Sequence, residues 1–274
     1  MIPDFTSTAL SELWSLEGRV AVVTGGGSGM GQATALRLAE AGAVTAVADI
    51  AQDKARETVD LIGKRTPGAQ AVPLAVDVTE PASVSALGDA VVERFGHIDI
   101  WVNTAWLSSS GSIADYPDDM WRQGLAVNLD GSFYTAREAA TRMLAAGRRG
   151  VIILVTSGSA HHGRARRYQY VAAKHGTLGL VRSLALELGP AGIRVVAIAP
   201  AATDTPGYRA APARFSGADA EQAKRLLDDT IAKMALGRLG QADDIARAAV
   251  FAASDMAGFV TGSTIHVDGG VDAA

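Results

Sequence analysis

The stretch RRYQYVAAKH (166–175) carries the residue pair in this sequence best suited to chemistry, Tyr170 and Lys174, four positions apart. On a helix that spacing stacks two side chains on one face, one turn apart. A cation beside a phenol favours the phenolate and pulls its pKa below the ordinary value of about 10, so that a tyrosine can serve as acid or base near neutral pH. Tyr168 lies two positions earlier and points elsewhere on such a helix, so only Tyr170 can set its hydroxyl beside Lys174. A Tyr and a Lys at this spacing are also ordinary helical neighbours. The pair alone does not decide between the two readings.

A second group of residues points to phosphate binding. TGGGSGMG (24–31) joins an apolar, β-branched run to a helical pattern. Glycines let the backbone turn tightly and approach a pyrophosphate, and the helix start behind them offers unpaired N–H groups and a positive dipole end. Between a first strand and a first helix this reads as a dinucleotide turn. Asp49 ends the next strand, where a carboxylate can accept hydrogen bonds from both adenosine ribose hydroxyls and would repel a 2′-phosphate. It could also cap the following helix, but the ribose role is favoured, and with it NAD over NADP. Asp77 ends the third strand and could reach an adenine edge or cap the helix after it.

These residues need a frame. Strand signals recur at RVAVVT (19–24), VTAVADI (44–50), AQAVPLAVDV, HIDIWVN, GVIILVT (150–156), GIRVVAIAP (192–200) and TIHVDGG, with helical patterns between nearly all of them. Near-continuous apolar strands alternating with helices predict an α/β protein: a doubly wound, seven-stranded parallel sheet with helices on both faces. The reading is one domain over 18–274 after an N-terminal extension of 1–17. The irregular stretch 204–236 is a candidate lid. Of the 274 residues, 48% are hydrophobic, enough for a large core. The net charge of −4 gives no general affinity for nucleic acid or acidic membranes. There is no cysteine, which excludes disulfides, thiolate chemistry and a Cys-based metal site. The opening residues show no signal-peptide pattern and no segment reaches transmembrane length, so a cytoplasmic protein is expected.

With these motifs in order, the sequence resembles the classical short-chain dehydrogenase/reductase family. The resemblance rests on TGGGSGMG, on DV (77–78), VN (102–103), NLDGSF (128–133), TS (156–157), YVAAK (170–174) and PAATDT (200–205), then GRLGQADDIA (237–246) and TGSTIHVDGG (261–270), and it covers residues 18 to 270. It implies a Rossmann-type fold, usually assembled as a tetramer or dimer; a homo-oligomer is expected, a tetramer favoured. It implies a catalytic tetrad of Asn128, Ser157, Tyr170 and Lys174. Thr24, Gly25, Ser28, Met30 and Gly31 match its pyrophosphate turn. Asp49, Asp77, Val78 and Asn103 match its adenosine and ribose contacts, and Thr203 and Thr205 those to the nicotinamide carboxamide. By this resemblance Tyr170 takes the alcohol proton and Ser157 holds the substrate oxygen. Lys174 favours the phenolate and bonds the nicotinamide ribose, and Asn128 ties Lys174 through water to a proton exit. Ser159 is a rival for the serine role, but its spacing to Tyr170 does not fit, and it is expected to line the substrate pocket with Trp106 and Arg164.

The sequence departs from that family at three places. Trp106 follows NTA where a glycine is usual; it is either a surface-loop residue or a wall of the pocket mouth. Ala201 follows Pro200 where a glycine is usual, and fits only if the backbone there avoids positive φ. HHGRARR (161–167) occupies an interval where the family carries substrate-lining residues. Its adjacent His161 and His162 read as a solvated loop with no acidic partner near, so no metal is expected. Arg164, Arg166 and Arg167 read as a solvated charge run, with Arg164 a substrate contact. The expected function is an NAD-dependent oxidoreductase interconverting a secondary alcohol and a ketone, with a bulky, mainly apolar small molecule as substrate. A 3-oxoacyl thioester reductase of the same family is the alternative, although such reductases mostly use NADPH. A non-catalytic dinucleotide sensor would be expected to have lost a tetrad residue, and none is lost.

Overall fold

The computed structural model of the chain describes residues 4–210 and 220–273. Its frame is a seven-stranded, all-parallel sheet built from β1 (Val20–Thr24), β2 (Val44–Asp49), β3 (Ala71–Ala75), β4 (Ile100–Asn103), β5 (Gly150–Val155), β6 (Ile193–Pro200) and β9 (Thr264–Val267), in the order β3-β2-β1-β4-β5-β6-β9. A two-residue pair, β7 (Thr203–Asp204) and β8 (Gly240–Gln241), stands apart from it. Pro73, which cannot donate to a ladder, lies in β3 at the sheet edge.

The strands send alternate residues to two cores. Val20 and Val22 of β1, with Ile152 and Leu154 of β5, face α4 (Pro81–Phe95), α6 (Gly131–Ala145) and α7 (Tyr168–Leu188). Ala21 and Val23, with Val151 and Ile153, face α2 (Gly29–Glu40), α3 (Gln52–Arg65) and α9 (Ala242–Ala253). Burial on both faces explains why the strands read as unbroken apolar runs. Local signals set the helix limits: α4 opens on Pro81 and stops at Gly96, whose φ of 84° is open to glycine. Among the described residues no helix is long and apolar enough to cross a membrane.

The first residues are more than an appendage. A short α1 (Leu10–Trp14) precedes Leu16, which is fully buried in the α2–α9 core, and Phe5 packs on Gly258. Chain order reverses about β1, which lies between β2 and β4, so the loops after these strands part there and leave a crevice at the carboxyl edge. Of the lid candidate 204–236, residues 211–219 lie outside the described residues. The rest includes a helical turn over 206–210 and α8 (Ala220–Ala232).

Candidate active site

Two adjoining clefts open at the carboxyl edge of the sheet. One, of about 310 Å³, is lined by Gly25, Ser28, Met30 and Gly31 of the glycine turn and by Asp49, Asp77 and Val78. The other, of about 520 Å³, is lined by Ser157, Ser159, Arg164, Tyr170, Lys174 and Thr203. Met30, Thr104, Trp106 and Thr205 border both. A larger cavity, about 680 Å³, lies at the opposite edge beside Arg19, Arg148 and Arg194, away from these residues.

The glycine turn is shaped for close approach. A Cβ on Gly31 would stand 2.1 Å from the Gly25 carbonyl oxygen, and Gly25 itself has a φ of 75°. Ser28 caps α2 with extended backbone and no side-chain hydrogen bond, so the first N–H groups of α2 have no cap from it. Asp49 Oδ2 accepts from the Gly27 N–H and Oδ1 from the Ala51 N–H, both at 2.9 Å. Each oxygen keeps a lone pair for a ligand. The carboxylate thus serves its own turns while lining the cleft. Asp77 Oδ1 accepts from the Thr79 N–H and hydroxyl. Thr24 is buried and donates to Asn103 Oδ1 at 2.8 Å; Asn103 Nδ2 donates to Ser132. These two residues stitch β1 to β4 and α6. This cradle, with a carboxylate at its rim, fits the diphosphate and ribose of a nicotinamide dinucleotide.

In the second cleft, α7 brings Tyr170 and Lys174 together as the spacing required. Lys174 Nζ lies 5.7 Å from the Tyr170 ring centre and donates to the Val155 carbonyl at 2.8 Å. Tyr168 packs edge-on against Tyr116 instead. Ser157 Oγ accepts from the Ser159 N–H at 3.1 Å, which leaves its own proton to donate outward. The electrostatics differ from the expectation in one respect. Burial pushes the Tyr170 phenol above its ordinary value, and what pulls it back is Ser157, then Arg167 and Arg164, with no such pull from Lys174. Lys174 is itself lowered to about 8 by burial. Both groups lose water, and removal from water disfavours the charged form of each.

Asn128 sits in a π-helical turn (Ala126–Asp130) between α5 (Asp118–Leu125) and α6. Such turns often mark functional sites. Both donors of its amide are used within the chain: Nδ2 donates to Leu107 and Gly124 carbonyls at 2.6 and 2.8 Å, and Oδ1 accepts from the Leu107 N–H. What it turns toward α7 is its backbone carbonyl, which accepts from Thr177 Oγ1 at 3.4 Å. Two residues escaped the sequence reading. Thr104 is buried, bonds the Thr24 and Gly25 carbonyls and borders both clefts. Gln169, fully buried, accepts from the Tyr170 N–H and donates to Ser109. Only position, directly after β4 and directly before Tyr170, could have flagged either.

Comparison with known proteins agrees with this geometry. The family model described as enoyl-(acyl carrier protein) reductase matches residues 25–272. The chain is 36% identical to short chain dehydrogenase/reductase astE of Aspergillus oryzae, over 96% of this chain and 98% of that protein. The chain belongs to the classical short-chain dehydrogenase/reductase family. It is also 35% identical to an L-rhamnose 1-dehydrogenase (NAD(P)(+)) of Azotobacter vinelandii, over 92% of this chain and 96% of that one. The crystal structure of levodione reductase superposes with a TM-score of 0.89 at 31% identity, over 94% of this chain and 99% of that one. Short-chain dehydrogenases/reductases are oxidoreductases that use nicotinamide dinucleotides.

Within this short-chain dehydrogenase/reductase the three departures take definite forms. Ala201 has no positive φ; among described non-glycine residues only Arg166 does. The methyl group therefore sits without backbone strain. Trp106 is partly exposed and packs on Gly207, where an added Cβ would lie 2.8 Å from the indole. The arginine run is not wholly solvated, since Arg164 and Arg167 both line the second cleft. The expectation that His161 and His162 lack an acidic partner is corrected: Asp272 lies 3.3 Å from His162. The carboxyl-terminal turn brings it there, from 110 positions along the chain. Of the lid candidate, Thr205, Tyr208, Thr230 and Met234 line the second cleft. Thr203 turns its hydroxyl to the Ala201 carbonyl, and Thr205 accepts from the Tyr208 N–H.

Proposed function

We propose that this oxidoreductase interconverts a secondary alcohol and a ketone with NAD(H), the substrate being bulky and mainly apolar. The reading is carried by one observation: the cleft holding Ser157, Tyr170 and Lys174 opens into the cleft of the glycine turn across a shared wall. NAD, when bound, supplies the hydride acceptor. Gly25, Ser28, Met30 and Gly31 would hold its diphosphate, Asp49, Asp77 and Val78 its adenosine and ribose, and Thr203 and Thr205 its carboxamide, while buried Thr24 and Asn103 support these contacts from behind the cleft. Asp49 supports NAD over NADP, since its carboxylate at the cleft rim repels a 2′-phosphate.

In the oxidative direction Tyr170 takes the hydroxyl proton of the substrate. Ser157, its lone pair engaged by Ser159, donates to the same oxygen and holds it against the phenol. Ser157, Arg167 and Arg164 offset part of the burial that opposes the phenolate. Lys174 keeps two of its three donors after bonding Val155, for the phenol side and the cofactor ribose. Asn128 fixes the loop after β4, through Leu107, beside α7. Trp106 gives the pocket a flat apolar wall.

The test is a panel of cyclic, aromatic and acidic secondary alcohols with NAD+, followed by NADH absorbance. Turnover of bulky cyclic or aromatic alcohols is expected. Turnover confined to 3-hydroxyacyl thioesters with NADP+ would replace this reading with the thioester one, and no turnover in the presence of dinucleotide binding would favour a sensor.

A further inference from the structure

The strongest cluster outside the two clefts lies where the chain ends. His266 on β9 and Asp268 and Asp272 of the turn after it bring three ligand-type atoms within 4.8 Å of one another. Asp272 is held between two imidazoles: Oδ1 is 3.3 Å from His162 Nε2 and Oδ2 is 3.6 Å from His266 Nδ1. Its side chain is only 8% exposed, and Oδ2 has no hydrogen-bond partner among the described residues. His161 lies against the His266 ring at 4.7 Å, and its Nε2 is likewise buried without a partner. A buried carboxylate oxygen with no donor is costly, so the arrangement calls for a cation.

We propose that these residues form a divalent transition-metal site, with His266, Asp268 and Asp272 as ligands, and with His162 beside Asp272 as a partner to that carboxylate. Imidazole donors suit zinc and its neighbours better than magnesium or calcium, and two carboxylates neutralise a divalent charge. Ligands about 2.0–2.2 Å from zinc in a tetrahedron stand about 3.3 Å apart. The cluster therefore needs a closure of no more than about 1.5 Å, which the short turn carrying Asp268 and Asp272 can supply. Asp268 already accepts from the Gly270 and Asp272 N–H groups and so presets that turn. The site would fasten the carboxyl-terminal turn to the Ser157–Ala160 turn, because a Cβ on Gly158 would lie 2.7 Å from Asp272 Oδ2. It stands independently of the proposed hydride chemistry.

The test uses the full chain without a polyhistidine tag, stripped with chelator, and titrated with Zn2+ by calorimetry while thermal unfolding is followed in parallel. One saturable zinc per chain and a rise in Tm are expected, with no comparable effect of Mg2+. His266→Gln and Asp272→Asn should each weaken zinc binding at least about tenfold, while Asp53→Asn on exposed α3 leaves it unchanged. Absence of saturable binding to the parent chain overturns the proposal, however the variants fold. Equal affinity in both variants overturns it as well.

Discussion

Lys174 donates to the Val155 carbonyl at 2.8 Å while standing 5.7 Å from the Tyr170 ring centre, so the end of β5 and the second turn of α7 share one buried cation. That cation is lowered to about 8 by burial. Below pH 8 both the folded and unfolded chains hold the proton, and burying the charge costs on the order of 3 kcal/mol. As pH rises from 8 toward the ordinary lysine value, the unfolded chain binds more protons and this cost is relieved. Lys174→Met should therefore abolish turnover yet leave the chain at least as stable at pH 7. Its advantage over the parent, measured by urea unfolding, should shrink between pH 8 and 10. A variant much less stable than the parent at pH 7 contradicts this.

Tyr170→Phe should lower turnover at least about 10²-fold with dinucleotide binding retained, since the ring still packs but moves no proton. Tyr168→Phe should keep most activity, because that ring packs against Tyr116 outside the cleft. Equal losses in the two variants would reassign the acid/base.

Asp49 lines the rim of the glycine-turn cleft. NAD should outperform NADP in kcat/KM by at least about tenfold, because a carboxylate facing a 2′-phosphate is repelled. Asp49→Ser should narrow the ratio chiefly through KM for NADP. An unchanged ratio would show that the carboxylate serves only the Gly27 and Ala51 N–H groups.

Trp106→Gly should raise KM for bulky substrates several-fold and leave kcat for small alcohols near the parent value. Steady-state kinetics across substrates of graded size check this. Identical kinetics throughout would reduce Trp106 to a loop residue.

Phe259 is 95% exposed just before β9, and Leu186 of α7 is 83% exposed. Apolar side chains this open suit a face covered by another copy of the chain. Light scattering at micromolar concentration should give the mass of an oligomer, with a tetramer expected; a monomer mass refutes it.

Much of the frame was legible because the strands are apolar on both faces. RVAVVT and GVIILVT read as buried strands, and the glycine turn lies between the first strand and the first helix. The Tyr170–Lys174 pair was legible because helical spacing is local. What escaped depends on distant chain segments meeting. Asp272 reaches His162 only once β9 has joined the sheet beside β6. Gln169 gives no sign of its role until Ser109 is placed beside it. The phenol's environment was misjudged because sequence spacing reports the neighbouring charge and not the loss of water.

Trp106 borders both clefts and rests on Gly207, a residue of the segment that also carries Thr205 and Tyr208. A partition shared by two chambers cannot be moved from one side alone. A ligand that displaces the indole from one chamber also reshapes the other. Thermodynamic linkage makes the two effects equal: the factor by which dinucleotide alters the binding constant of substrate is the factor by which substrate alters that of dinucleotide. Such coupling arises only in proportion to how far the indole moves when either chamber is filled.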